Sequence, residues 1–563
     1  MLHDLLTTRP EFAIFVALIV GYAVGAIKVG PFQLGGVAGT LIAALLIGQL
    51  GVQIDPGLQR FMFTVFIYAL GFSVAPQFFA SVDRKTLSWS LLVLIEVVLI
   101  LVVVFVASVV FKLDVGTASG LLSGAATESA MVGAASEAIG RLGLAADAVK
   151  VLQANVASAY ALCYIFSLIT IVLFASQVAP RLLRINLREE ARRSLARIGG
   201  ADLNLDADQH HSFPELISRG YRVTVAAGKT VAALETELGG DAKIENIKRG
   251  TLVIPVVPTC ALEAQDEIAV AGPRLTLADA AMKIGSELGT PSAVDFIVET
   301  RDVVFTRGAM HRPTVEMITE FLQKSECKGV YVVGTTRGGR SLPPLPGSVI
   351  RRGDELQLYG RPQDVARAAK LLGTAEAPSN STDFVYLGGG LAVGLVIGML
   401  TVHAWGAGLS LGSAGALLSG LAFGWLRSRR PTFGRFPAAA SQVLKDLGLA
   451  VFIASVGLTA APSVLKLVEA RGWELPGAAV LISLVPTIVA VYVGRFVLRM
   501  DPVILCGAIA GQQASTPAIN ATEAAAGNSV PVIGYTVTYA IANVLLPLLG
   551  PIFVATFKAI IHM

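Results

Sequence analysis

The sequence predicts a polytopic α-helical membrane protein with two inverted-topology repeats that contain broken or re-entrant helices, plus a central soluble α+β tandem domain. Three observations predict it. The 563 residues are 54% hydrophobic and only 15% charged, with a mean hydropathy of +0.67, whereas soluble domains carry about 25% charged residues. Two apolar blocks, 11–176 and 384–558, flank a polar stretch near 180–378. The blocks also match one another in order, the signature of an internal duplication.

The chain starts "MLHDLLTTRPEFAIFVALIVGYAVGAIKVG". Its leading region mixes Asp4 and Glu11 with Arg9, and a second apolar run follows at once, so it reads as a first span that is not cleaved. Next come the matched pairs. "GTLIAALLIG" (39–48) lies opposite "GALLSGLAFG" (415–424), and Gly21 and Gly25 correspond to Gly394 and Gly398. "VFIYALGFSVAP" (65–76) and "VFIASVGLTAAP" (451–462) agree at six of twelve positions, with Ser73 opposite Thr459. "GAATESAMVGAASEA" (124–138) falls opposite "GQQASTPAINATEA" (511–524), and "AYAL" (159–162) opposite "TYAI" (538–541). The resulting division is 1–180 for the first membrane repeat, 181–205 for a basic linker, 206–290 and 291–377 for two small α+β units, and 378–563 for the second membrane repeat.

Basic residues set the expected orientation. Arg181, Arg184, Arg188, Arg192 and Arg193 follow the first block, which puts the central domain in the cytoplasm; "DRK" (83–85), "RSRR" (427–430), Arg495 and Arg499 also fit best inside. That distribution works if each repeat has five full spans and one segment that enters and returns. Such an odd count inverts the second repeat and leaves both termini outside the cytoplasm. Within the central domain, "LEAQDEIAVAGP" (262–273) resembles "IRRGDELQLYGRP" (350–362), with Asp266 opposite Asp354, and "FIVET" (296–300) and "VYVVG" (330–334) read as further strands.

Two polar motifs inside apolar runs carry the functional expectation. Backbone in hydrocarbon satisfies its own hydrogen bonds, so an irregular segment survives only against protein or a water-filled cavity. A break there exposes N–H groups at a half-helix start, which attract anions. Thr127, Glu128 and Ser129 in the first motif, and Gln512, Gln513, Ser515, Thr516 and Pro517 in the second, are the candidate solute contacts. Small polar residues also serve plain helix packing; two motifs at matched positions favour the solute reading. Pro517 denies the helical ladder a donor; Ala130 stands at the matching place, so the first break is expected to rest on Gly124 and Gly133. "GFSVAP" (71–76) and "GLTAAP" (457–462) read as kinked or interrupted spans that bring Ser73 and Thr459 to the same path, and Asn155 and Asn543 are further candidates.

A carboxylate at helix centre costs roughly 2.5–3.5 kcal/mol on insertion scales. Glu96, in "SLLVLIEVVLILVVV", and Glu128 are therefore candidates for proton or ion coupling. Glu137 and Glu523 are expected at the interface, and Arg141, Lys150, Lys445 and Arg495 are candidate counter-charges. No nucleophile triad, P-loop or dinucleotide fingerprint occurs, and the four cysteines make no metal-site spacing, so no catalytic residue, metal or cofactor is expected. A net charge of +4, spread as short topology signals, gives no nucleic-acid footprint.

The polar motifs "GAATES" (124–129) and "GQQASTPA" (511–518), the duplicated halves, and the "QDEIAVAG" and "GDELQLYG" strands together resemble the aspartate:alanine exchanger family of bacterial antiporters, over essentially the whole chain. The resemblance implies tandem cytoplasmic domains similar to the C-terminal (TrkA-C/RCK-C) domains of potassium-uptake proteins. It also implies an inner-membrane antiporter exchanging L-aspartate for L-alanine by alternating access; relatives on this plan handle other dicarboxylates such as succinate. The expected partners are small carboxylates, the lipid bilayer, a second copy in a homodimer and a small regulatory ligand on the central domain. The alternative reading is a cation transporter or channel gated by that domain.

Overall fold

The computed structural model describes residues 2–29, 32–81, 84–197, 216–239, 242–289, 298–306, 310, 313–325, 327, 329–337, 340–342, 345–375, 382–404, 407–429, 434 and 436–561. Asp83 of the 83–85 triplet, Arg430, residues 198–205 of the linker and residues 296–297 of the expected strand lie outside them. The chain divides into two compact units. One comprises Met1–Ala196, Arg337–Leu342 and Pro378–Met563; the other comprises Arg197–Thr336 and Pro343–Ala377.

The first unit is helical, as a backbone without water to bond must be. Its first repeat contains α1 (Pro10–Gly25), α2 (Gly36–Gly48), α3 (Pro56–Ser81), α4 (Arg84–Val110), the half-helices α5 (Val115–Ala125) and α6 (Ser129–Gly140), and α7 (Ala146–Leu173). The second contains α8 (Phe384–Met399), α9 (Ser413–Arg429), α10 (Ala438–Arg471), α11 (Glu474–Tyr492), the half-helices α12 (Pro502–Gln512) and α13 (Thr516–Ala526), and α14 (Val530–Ile561). Among the described residues six helices are long and apolar enough to cross a membrane, three at matched places in each repeat.

Close approaches at small residues fix the directions. A Cβ on Gly48 of α2 would lie 2.4 Å from Leu458 O, and one on Gly457 of α10 would lie 2.7 Å from Ala44 Cβ, so α2 and α10 run parallel. Gly71 against Leu417, and Gly424 against Phe72 and Ala75, make α3 and α9 parallel in the same way. Successive spans alternate in direction, so α3 opposes α2 and therefore opposes its own repeat mate, α10. The two repeats are inverted.

The half-helices form re-entrant hairpins. Gly116, Gly120 and Gly124 of α5 approach Leu152, Val156 and Cys163 in turn, so α5 runs parallel to α7. α6 then comes back: its start sits at Tyr160 and its Ser136 carbonyl accepts from Gln153 Nε2 at 2.8 Å. Likewise Gly507 and Gly511 of α12 approach Pro531 and Tyr535 of α14, and α13 returns to the αL residue Gly527 before α14 begins. Each repeat therefore has five helices and one segment that enters and returns.

Three sequence expectations need correction. α3 and α10 are not interrupted: each continues as one helix through Pro76 and Pro462, because a proline removes a single donor from the ladder. The first break does not rest on its glycines: Gly124 packs on α7 and Gly133 on Phe63. Finally, Gly124 lies against Tyr160 and Tyr164 just as Gly511 lies against Tyr535 and Tyr539. The alignment of "AYAL" with "TYAI" is therefore one helical turn out of step.

The second unit holds two antiparallel sheets. In the first, Glu267–Pro273 pairs with Leu216–Arg222 and with Lys243–Arg249, which carries Leu252–Ile254 on its outer edge. In the second, Glu355–Gly360 lies between Glu299–Phe305 and Tyr331–Arg337. The duplication extends to detail. Asp266 and Asp354 precede the central strands and each accepts from the backbone N–H three residues earlier, at 2.8 and 2.7 Å. Thr230 and Thr314 each cap a helix through Oγ1. Separate apolar cores, around Ile247, Ile268 and Leu277 and around Leu322, Leu356 and Val365, hold the two units.

Candidate solute-binding site

Each hairpin is built from the same local chemistry, 387 residues apart in sequence number. Asp114 caps α5 through a bond from Thr117 N at 3.0 Å, and Asp501 caps α12 through Val503 N at 2.9 Å. Asn155 Nδ2 and Ser194 Oγ hold these two carboxylates at 3.3 and 2.8 Å. At the far end each chain turns on a non-glycine residue in the left-handed region, Thr127 (φ 51) and Ala514 (φ 47). The next N–H, of Glu128 or Ser515, bonds five residues back to Ser123 O or Ala510 O at 3.0 and 3.1 Å. Glu128 and Ser515 then cap the returning helices through Ala130 N and Ala518 N. Pro517 lies in the first turn of α13, where a missing N–H costs nothing, which explains why Ala130 serves equally well in the mate.

Left-handed backbone costs a β-branched or alanyl residue on the order of 1–2 kcal/mol, so neighbours must hold it. Thr127 Oγ1 donates to the Gln513 carbonyl at 2.9 Å, joining one tip to the other. Each tip is also held by the opposite repeat. From α4, Glu96 accepts Gln512 Nε2 at 2.7 Å and Gln513 Nε2 at 2.5 Å. From α11, at the matching position, Ser483 Oγ donates to Ala125 O at 2.9 Å. Ser129 Oγ sits 2.6 Å from Tyr160 OH, and Thr516 Oγ1 sits 3.4 Å from Tyr535 OH.

The tips form one wall of a cavity of about 630 Å³, within the roughly 300–1,000 Å³ usual for small-molecule sites. Thr127, Glu128 and Ser129 line it from one hairpin; Ala514, Ser515, Thr516, Pro517 and Asn520 line it from the other. Tyr164, Tyr539 and Asn543 come from α7 and α14, and Gln442, Lys445 and Asp446 from α10. Two half-helix starts thus bring partial positive charge and hydroxyl donors to one space. Asp446 accepts Gln442 Nε2 at 2.8 Å on both oxygens, while Lys445 has no carboxylate partner among the described residues.

Seven of the expected contacts therefore meet at the cavity: Thr127, Glu128, Ser129, Ser515, Thr516, Pro517 and Asn543. Five do not line it. Gln512 and Gln513 turn to Glu96; Ser73 Oγ donates to Leu70 O, and Thr459 Oγ1 to Ser455 O, within their own helices; Asn155 holds the Asp114 cap. Glu137 binds Arg141 at 2.6 Å and accepts Ser413 N at 2.7 Å, tying α6 to the start of α9. Sequence reasoning missed the paired Asp114 and Asp501. Their signal was present in "KLDV" (112–115) and "RMDP" (499–502), where Lys112 and Arg499 also share positive φ. It likewise missed Tyr164, Tyr539 and Asn520, and named Lys445 only as a counter-charge.

Comparison with known proteins agrees with this architecture. A family described as a predicted permease membrane region, the aspartate–alanine exchanger model, matches residues 13–180 and 386–555, more than half of the chain. A TrkA-C domain matches 317–373, within the second α+β unit. The chain is 38% identical to an uncharacterized transporter of Zymomonas mobilis over 98% of its own length and 99% of the relative's. It is 37% identical to one of Bradyrhizobium diazoefficiens over 98% of each chain, and 32% identical to one of Francisella tularensis over 99% of each. No solved structure matches. The chain is a multi-pass membrane protein and a transporter, and it belongs to the aspartate:alanine exchanger family.

Proposed function

We propose that the protein is an antiporter for small carboxylates, with L-aspartate and L-alanine as the exchanged pair that the family suggests. The observation that carries this reading is the meeting of two oppositely oriented hairpin tips on one cavity that also holds Lys445. A carboxylate there gains the start of α6 or α13, the hydroxyls of Ser129, Ser515 and Thr516, and a lysine ammonium. Glu128 and Asp446 supply acceptors for an α-ammonium group. Two carboxylate sites and one ammonium site suit an acidic amino acid; alanine uses a subset of them. Inverted repeats around such a site support alternating access, in which one group of helices moves against the other.

In this reading the protein lies in the bacterial inner membrane with its central domain in the cytoplasm and both termini outside, the orientation that the arginines after the first block favour. The central domain acts in regulation or in forming a homodimer. Counterflow tests the proposal. Vesicles loaded with alanine, aspartate or succinate are each challenged with labelled external aspartate. Accumulation driven by internal alanine and aspartate is the expected result; uptake indifferent to the internal solute would overturn exchange.

A further inference from the structure

Among the described residues Glu96 has no counter-charge. It is fully buried, and among the described residues its two oxygens accept hydrogen bonds only from the side-chain amides of Gln512 and Gln513. Packed against α4 are α5, α11, α12, α14 and the turn 493–497. α5 and α12 carry no charged residue. α11 has only Glu474, at its first position, and the following turn only Arg495. α14 has Lys558 near its end, with Tyr535 and Tyr539 its titratable groups nearer the tip, and Cys506 is the titratable group of α12. Arg84 and Lys85 of α4 itself lie eleven or more residues away, about 16 Å along the axis.

Two further facts leave room for a cation here. Gln512 and Gln513 are completely buried, and neither side-chain Oε1 atom has a hydrogen-bond partner among the described residues. Unpartnered buried acceptors of this kind are costly. The cluster also sits where α12 ends, at the negative pole of a buried half-helix, which favours a cation and disfavours a lone carboxylate. A half-turn of each amide replaces its nitrogen by its oxygen. Both oxygens then face Glu96: a sodium ion between them is shared by all four oxygens, whereas a proton bound to one Glu96 oxygen is donated to one amide oxygen while the other amide keeps its N–H on the second carboxyl oxygen.

We propose that Glu96, Gln512 and Gln513 bind one monovalent cation, a proton or a sodium ion, in a pocket of their own behind the second hairpin tip. None of the three lines the solute cavity. The two places communicate through Gln513: its side chain contacts Glu96 and its carbonyl accepts Thr127 Oγ1 from the other tip. Occupancy thereby sets how firmly the two tips are joined, and solute movement is coupled to a cation gradient. The coupling rests on the transport reading; the cation site itself does not.

The test uses the purified full-length protein in liposomes. Labelled aspartate uptake into alanine-loaded liposomes is measured under an inward sodium gradient, an inward proton gradient, or neither, with membrane potential clamped. The readout is the ratio of uptake with a gradient to uptake without, which the amount of folded carrier does not change. One of the two gradients should raise wild-type uptake severalfold; Glu96→Gln should bring the ratio to one, and Glu96→Asp should restore part of it. Which gradient acts identifies the ion. A wild-type ratio of one under both gradients, with counterflow intact, would overturn coupling while leaving exchange standing. A second readout needs no solute: the melting midpoint in detergent, compared between sodium and choline chloride and between acid and alkaline pH. Stabilisation of wild type by sodium or by acid, absent in Glu96→Gln, supports the site even if aspartate is not carried. Equal responses in both proteins would overturn it.

Discussion

Lys445 offers the sharpest test of carboxylate recognition. It lines the cavity from α10, half-buried and without a carboxylate partner among the described residues. By the register that aligns 65–76 with 451–462, its mate in the first repeat is Gln59, so the inverted repeats differ here by one positive charge. A hydrogen bond to a charged group is worth about 1.5–3 kcal/mol. Partial exposure places Lys445 at the low end through screening, which corresponds to roughly a tenfold change in affinity. Lys445→Gln, which copies the mate, should therefore raise the KM for aspartate and succinate about tenfold. The KM for alanine should change much less, because alanine lacks the second carboxylate. Lys445→Arg should retain most of the affinity. Initial rates in liposomes loaded with alanine measure all three. An unchanged aspartate KM, or equal losses for aspartate and alanine, would refute the assignment.

Other consequences follow from the tips and the central domain. Ser129→Ala and Thr516→Ala each remove one neutral donor and should weaken aspartate transport by about 0.5–1.5 kcal/mol, roughly two- to tenfold, in the same assay. Ala514→Gly relieves left-handed backbone and should raise the melting midpoint, gaining on the order of 1 kcal/mol, whereas Ala514→Val should lower it. Gly511→Ala would bring a Cβ to 2.5 Å from Tyr535 O and 2.2 Å from Thr538 Oγ1, so it should destabilise by about 1–3 kcal/mol and lower expression of folded protein. In the central domain, hydrogen bonds from Arg249 hold the Asp266 carboxyl below its ordinary range against the opposing effect of burial. A carboxyl depressed by folding contributes stability above its unfolded pKa and loses it as pH falls through the folded value. Asp266→Asn should therefore lower that domain's melting midpoint at neutral pH and leave it little changed in strong acid.

Much of the fold was legible because a membrane leaves the backbone few choices. Long apolar runs became α3, α4, α7, α10, α11 and α14, and each repeat has one segment that enters and returns, the arrangement the basic residues favoured. The breaks were legible from polarity, yet their mechanism was not. Gly and Pro drew the eye, while the turns are made by Thr127 and Ala514, residues whose left-handed backbone only tertiary bonds explain. Pro76 and Pro462 likewise do not interrupt their spans, since each removes one donor from a helix that continues on both sides. Gln512 and Gln513 lie on the broken segment but face Glu96 and not the cavity, since helical phase at a break is not set by spacing. The tyrosine register slipped a turn because "AYAL" and "TYAI" share composition, and only packing against Gly124 and Gly511 distinguishes the true mates.

Substrate-protected alkylation tests the account most directly. With the four native cysteines replaced, single cysteines Ser129→Cys and Asn520→Cys, one on each hairpin, report on the cavity from its two sides. Aspartate should slow labelling of both cysteines by a membrane-permeant maleimide, with half-protection at the same concentration, and should leave Ser73→Cys unaffected. Labelling of both hairpin cysteines at an unchanged rate in saturating aspartate and alanine, with counterflow active, would show that solute crosses elsewhere.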